Sequence, residues 1–244
     1  MNRSLVLLYG IACYLVGVVG LVAIIAAMAH ILPFGYLWAD GGYSINPVVW
    51  NVLLILIWGC IHSGMARPGF KSTITKIIPA AAERPTYVLV SGITSVVLTG
   101  YWMTVPGQVW LVEQTALVYA LWAIFAFGWG FLLAATFAIN HFDLFGLRQV
   151  FLNFRNEPNP PVPFVKRAMY RYIRHPIQTG VLIGIWATPS MSMTQFVLSV
   201  CFSIYIFIGL RFEERDLIAQ HGDAYRDYMM EAGKVFPAFG KQHE

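Results

Sequence analysis

The run from Leu5 to Leu32 contains no Asp, Glu, Lys or Arg, and its one titratable side chain of that kind of strength is His30. A hydrocarbon core about 30 Å thick takes about 20 apolar residues of helix, so this run is long enough to cross it. It is also longer than the apolar part of a cleavable signal peptide, about 7 to 15 residues. Similar uncharged runs follow at Val48–Met65, Thr86–Val105, Thr115–Ile139, Ile177–Thr188 and Phe196–Leu210. Charged residues make up 11% of the chain, against about 25% in soluble domains, which excludes a water-soluble fold. The expectation is an all-α, polytopic membrane protein with five or six transmembrane helices, the last two forming a helical hairpin. The range of five or six reflects Ile177–Thr188, whose rise of about 18 Å is short for a full crossing.

The connections are as informative as the runs. Of the 16 basic residues, 1 precedes the first run, 4 lie between the second and third, 6 between the fourth and fifth, and 5 follow Leu210. The opposite side receives none, so the positive-inside rule places both termini, and both ends of the hairpin, in the cytoplasm. That asymmetry also accounts for the net charge of +4 without a nucleic-acid partner. Pro33, the Asp40-Gly41-Gly42 turn and Pro47 break the chain between the first two runs. Pro158, Pro160, Pro161 and Pro163 forbid a regular helix in the longest loop, while His141–Phe154 is amphipathic enough to lie along the membrane interface. Cys13, Cys60 and Cys201 all fall in apolar runs, which supports neither disulfides nor a metal site. A single integral membrane domain is expected over 1–244, with a four-helix part (1–139) and a second part (140–244) that carries the hairpin.

The hairpin concentrates charge at its two ends, Arg174-His175-Pro176 and Arg211 to Asp216, around a turn at Pro189. At 1.5 Å per residue, Arg174 lies level with about Gly209 and Glu213 about 6 Å beyond. With helix axes about 8 to 10 Å apart, the backbones at these positions are about 11 Å apart. Long side chains close such a gap directly, or an elongated zwitterionic ligand fills it, with the arginine on a carboxylate and the glutamates on hydroxyls or an amino group. The plain alternative is a solvated helix end with local ion pairs and anchoring arginines.

The order Arg174-His175-Pro176-x-x-x-Gly180, then Glu213-Glu214-x-x-Leu217, then Gly222-x-x-Tyr225-x-x-Tyr228, resembles the carboxy-terminal half of the isoprenylcysteine carboxyl methyltransferase and phospholipid methyltransferase superfamily. In that superfamily a Tyr often stands two residues after the Pro, where this chain has Gln178. Four further segments are similar to the nurim-type branch of methanethiol S-methyltransferases: His62-Ser63-x-Met65-Ala66-Arg67, Ala82-Glu83-Arg84-x-Thr86-Tyr87, Asn140 to Gln149, and Trp186-Ala187-Thr188-Pro189. The resemblance implies methyl transfer from S-adenosyl-L-methionine to a small volatile thiol, methanethiol, giving dimethyl sulfide. It also implies a cofactor site at Tyr170, Arg174, His175, Pro176, Gly180, Glu213 and Glu214, facing the cytoplasm from the cytoplasmic (inner) membrane. Methylation of a larger lipid-like acceptor, or a non-enzymatic nurim-like protein, are the alternatives. Membrane lipids are the only other partners expected, with no obligate protein partner.

A thiol must lose its proton to become the nucleophile, so a base is needed. His62, at the end of the second run, titrates in the right range, but a histidine at a helix end can equally cap or anchor it. His141 and Asp143 lie where the fourth run reaches the interface, and Asp143 has a structural alternative as a partner of Arg148 or a helix cap. His175 precedes a proline, whose restricted backbone suits loop shaping or cofactor binding better than proton transfer.

Overall fold

The computed structural model describes residues 2–38, 45–160 and 166–238; the Asp40-Gly41-Gly42 turn and the loop prolines Pro161 and Pro163 lie outside the described residues. Helix α1 (Arg3–Met28) is capped by Asn2, whose side chain accepts from the Ser4 amide, and α2 (Pro47–Met65) by Asn46, which accepts from Val48 and Val49. The short α3 (Pro68–Ile74) leads to α4 (Ala80–Gly100), strand β1 (Gln108–Leu111) and α5 (Thr115–Ile139). Helices α6 (His141–Leu144) and α7 (Leu147–Arg155) follow, then a 3-10 turn at Ala168–Arg171. The hairpin is α8 (Pro176–Trp186), β2 (Ser190–Ser192) and α9 (Met193–His221), and α10 (Asp223–Glu231) completes the described chain.

The protein is an all-α polytopic membrane protein. Among the described residues, α1, α2, α5 and α9 are long and apolar enough to cross a membrane, and α8 is a shorter apolar helix. Helix α4 has 21 residues, a rise of about 32 Å, but carries Glu83 and Arg84 near its start. It differs from the run expected at Thr86–Val105. The helix begins before Pro85 and ends at Gly100, because a proline this near the start forfeits only one early hydrogen bond. The second hairpin arm also differs: α9 continues through Arg211–Asp216 to His221, so the charged cluster is part of the helix and not its end.

The chain folds as two compact units interleaved in sequence. The first comprises Met1–Gly107, Asn140–Pro163 and Ser192–Val197. Helices α1 and α4 pack most closely here, through glycines. A Cβ on Gly92 would sit 2.4 Å from the Val16 carbonyl oxygen, and one on Gly20 would sit 2.5 Å from the Gly92 Cα. Between apolar helices in lipid there is no hydrophobic drive to associate, so close backbone approach at small residues supplies the contact. Leu5, Leu8, Leu15, Val19 and Val22 are exposed on the other face of α1, as lipid-facing side chains should be. Val150 of α7 is fully buried against Val6 and Ala82. Two buried amides pin the connections: Asn51 pairs with both backbone groups of Met103, and Gln195 donates to the Met28 carbonyl.

The second unit comprises Gln108–Ile139, Phe164–Met191 and Leu198–Glu244. Helix α5 packs on α8, β1 pairs with β2 in a two-stranded ribbon, and Trp110 Nε1 donates to the Thr188 carbonyl. The Arg167 side chain donates to the Ala138 and Ile139 carbonyls, satisfying the last turn of α5.

The glycine contact predicts a stability split. Gly92→Leu, which forces a side chain into backbone, should cost at least about 3 kcal/mol or abolish folding. Gly130→Ala, where a Cβ meets nothing within 4 Å, should be neutral or stabilising by up to about 1 kcal/mol. Thermal unfolding in detergent reads both.

Candidate functional site

In the second unit, the approach to α8 is shaped by Pro176, which opens the helix and keeps His175 out of the helical conformation before it. The preceding residues pair with the chain after α10: Ile173 bridges Gly233, the Arg174 amide donates to the Gly233 carbonyl at 2.8 Å, and the His175 amide to the Lys234 carbonyl at 3.1 Å. Thr179 Oγ1 adds a bond to the Val235 carbonyl at 2.7 Å. Arg174 thus presents its guanidinium to Glu214 on α9.

Glu214 is the centre of this cluster and only 5% exposed. Arg174 approaches Oε1 at 2.8 Å through Nη2 and 2.9 Å through Nε, Lys234 Nζ lies 2.5 Å from Oε2, and His175 Nε2 lies 3.3 Å from Oε1. The gap expected between Arg174 and the glutamates is therefore closed by side chains, with Arg174 also donating to the Met229 and Ala232 carbonyls. Glu213 is left half-exposed, 3.7 Å from His175 Nδ1. A helix of 29 residues is about 44 Å long, well over the hydrocarbon thickness, and α9 carries no charge before Arg211. Glu214 thus stands beyond the spanning part. Burial alone would raise its carboxyl, but His175, Lys234 and Arg174 together outweigh burial and hold it at about 2.

Two cations around one buried carboxylate leave a positive surplus, and Glu213 places a negative charge beside it. That set complements an amino-acid zwitterion: Arg174 and Lys234 suit its carboxylate and Glu213 suits its ammonium or nearby hydroxyls. Tyr170 is buried, its carbonyl accepting from the Tyr228 hydroxyl, and burial raises its phenol's pKa. Gly180 faces α5, where a Cβ would lie 2.6 Å from the Gly128 carbonyl oxygen and the Leu132 nitrogen, so it serves close packing of α5 on α8.

In the first unit, His62 lies on α2 with both ring nitrogens engaged. Nε2 is 2.7 Å from the Tyr87 hydroxyl and Nδ1 3.1 Å from Ser91 Oγ, both on α4. Trp58, one turn earlier on α2, stacks on the imidazole at 4.9 Å. His141 is buried, with Nε2 3.0 Å from the Tyr14 hydroxyl, and burial lowers its pKa. Asp143 makes the pairing with Arg148 that its structural alternative expects. Its Oδ1 accepts from Arg148 at 2.9 Å and from Gln149 at 3.2 Å, and Asn140 caps its amide. Helices α1, α6 and α7 border an apolar cavity of about 450 Å³ lined by Leu7, Ile11, Phe142 and Phe151.

Within the second unit the structure brings Tyr170, Arg174, His175, Pro176, Glu213 and Glu214 to one end of the hairpin. Within the first it sets His62 in one polar group and His141 beside Asp143 in another. Lys234 was missed from sequence, although it follows the Tyr228 motif by only six residues. Tyr87 and Ser91 were missed as a pair; their i, i+4 spacing on a helix is the signal that one face carries both.

The family model described as NnrU protein matches residues 51–226, which includes both polar groups. The chain belongs to the NnrU family. It is 40% identical to the methanethiol S-methyltransferase of Mycobacterium tuberculosis (strain ATCC 25618 / H37Rv), over 97% of this chain and 98% of that protein. It is 35% identical to the methanethiol S-methyltransferase of Crocosphaera subtropica (strain ATCC 51142 / BH68), over 99% and 95%. A more distant similarity is to nurim of Mus musculus, 22% identical over 70% of this chain and 68% of that protein.

The Glu214 cluster gives a signed pH dependence. Because the folded carboxyl titrates at about 2, below its ordinary value of 4.5, its stabilisation is complete above about pH 4.5 and is lost as pH falls towards 2. Glu214→Gln should remove that part of the acid transition. At neutral pH it should cost about 3 to 5 kcal/mol, since Arg174 and Lys234 lose their partner. Unfolding of both proteins across this pH range is the measurement.

Proposed function

We propose that this chain is an integral membrane methyltransferase that moves the methyl group of S-adenosyl-L-methionine to methanethiol, releasing dimethyl sulfide. The observation that carries the reading is the near full-length similarity, at 40% identity, to a protein named for that reaction. The charge set around Glu214 supports it, because two cations and two carboxylates gathered at one end of the hairpin match the opposite charges of a zwitterion. Arg174 and Lys234 hold the donor's carboxylate and Glu213 its ammonium or ribose hydroxyls, with His175, Pro176 and Tyr170 fixing the loop that carries Arg174. The bound donor supplies an electrophilic methyl group. Methanethiol has almost no polar handle, so an apolar surround selects it, and exclusion of water keeps its thiolate reactive.

On this reading His62 is the base that activates the thiol. His141 and Asp143 hold the interfacial α6–α7 segment, and the donor site and both termini face the cytoplasm, on the side of the basic loops. The protein sits in the cytoplasmic membrane in contact with its lipids, and the reaction calls for no obligate protein partner.

Purified protein with S-adenosyl-L-methionine and methanethiol should release dimethyl sulfide into the headspace. Donor binding without dimethyl sulfide would point to a larger, lipid-like acceptor, and absence of donor binding would favour a non-enzymatic nurim-like protein. Glu213→Gln should weaken donor binding about 10- to 100-fold, the worth of one charge-assisted hydrogen bond. The fold should be unaffected, because that carboxylate is half exposed. Calorimetric titration with the donor reads the first and thermal unfolding the second.

A further inference from the structure

We propose that Tyr87, and not His62 directly, takes the proton of the acceptor thiol, with His62 as the proton's destination behind it. The proposal rests on the thiol-methylation reading above. His62 has no simple way to meet a thiol. Its Nδ1 faces Ser91 Oγ at 3.1 Å, its Nε2 faces the Tyr87 hydroxyl at 2.7 Å, and Trp58 stacks on its ring within 12° of parallel. With Nδ1 protonated and donating to Ser91, Nε2 accepts from the Tyr87 hydroxyl, so a proton arriving from a substrate passes through Tyr87.

The surroundings of Tyr87 suit it to carry negative charge in passing. The Arg84 guanidinium lies 4.8 Å from its ring centroid, and Arg84 is itself fixed by donating Nε to the Leu144 carbonyl at 2.6 Å. A cation this close stabilises negative charge on the phenol. Arg84, Tyr87 and Ser91 are spaced three and four residues apart on α4, and Trp58 and His62 four apart on α2, so each helix presents its members on one face. A histidine on the apolar helix α2, which is long enough to cross a membrane, is costly to bury, which argues for a use.

The step balances. The thiol S–H bond breaks as its proton moves to the Tyr87 oxygen, while the Tyr87 proton moves to His62 Nε2, leaving an imidazolium. The thiolate lone pair forms the new sulfur–carbon bond, and the electron pair of the broken methyl–sulfonium bond stays on the donor's sulfur. The products are dimethyl sulfide and S-adenosylhomocysteine, and the imidazolium returns its proton to solvent.

Tyr87→Phe tests this while keeping the ring under Arg84. It should leave donor binding unchanged and lower kcat about 10²- to 10⁴-fold, the usual worth of a positioned base. Its residual rate should rise tenfold per pH unit, because only thiolate formed in solution then reacts. His62→Gln should cost a similar factor, and the double variant no more than either alone, since the two act as one unit. A readout without turnover uses protein labelled with ¹⁵N-histidine and loaded with S-adenosylhomocysteine. Adding methanethiol should turn the His62 signal into that of an imidazolium in the wild type and not in Tyr87→Phe. A Tyr87→Phe protein with the wild-type rate, or with a reduced rate on an unchanged pH profile, overturns the proposal. Failure of the wild-type protein to make dimethyl sulfide overturns the thiol reading on which it stands, and is seen before any variant is compared.

Discussion

A carboxylate taken out of water must find its full set of partners within the protein, and Glu214 imposes that condition on the whole second unit. It draws Arg174 from the loop before α8, His175 from the next position, and Lys234 from beyond α10, while standing itself on α9. Three stretches of chain, far apart in sequence, are thereby held to one atom group. The backbone pairing of Tyr172–His175 with Gly233–Lys234 follows from the same convergence, as does the burial of Tyr225 and Tyr228 on α10. Without the carboxylate, two cations would face each other with nothing between them, so the arrangement is conditional on a single side chain.

The first unit is organised on a different principle. Its helices are joined where side chains are smallest, at Gly20 and Gly92, and its polar residues are mostly neutral groups satisfied in pairs. Trp58 donates to Ser95, His62 meets Ser91 and Tyr87, and Asn51 meets the Met103 backbone. Lipid selects for this economy, because an unpaired polar group there has no water to fall back on. One unit thus confines strong charge to the region beyond the spanning helices, whereas the other distributes weak polarity within them.

How far these features were legible in the sequence depends on whether a residue's partner lies near it in the chain. Uncharged runs fall almost on α1, α2 and α5, since the length of an apolar run is a local property that the bilayer converts directly into a helix. The start of α4 was misjudged because Glu83 and Arg84 end the uncharged run there; only the helix itself reveals that its first turns take in these charges and Pro85. The motif residues Arg174, His175 and Glu214 were recognisable as a set, yet whether they touch or stand apart turned on a few ångströms. Helix rise alone could not supply that, and long side chains closed the distance. Lys234 carried no motif of its own, and Tyr87 stood in a resembling segment with no role attached; both acquire meaning only from the groups opposite them. Gly180 illustrates the reverse case: a motif glycine whose position is explained by the backbone of α5 pressing against it.

The ribbon of β1 and β2 has a bearing on assembly. Its strands, Gln108–Leu111 and Ser190–Ser192, are separated in the chain by α5, the α6–α7 segment and α8. During synthesis, the backbone groups of β1 emerge long before their partners, and the first strand must wait while the intervening helices are delivered to the bilayer. Closure of the ribbon is therefore a late event that reports on everything between: it becomes possible only when α8 has returned the chain to the end from which α5 set out. The small two-stranded element works as a latch whose shutting marks the completion of the turn, and a chain interrupted before Ser190 would be left with an open strand edge at the membrane.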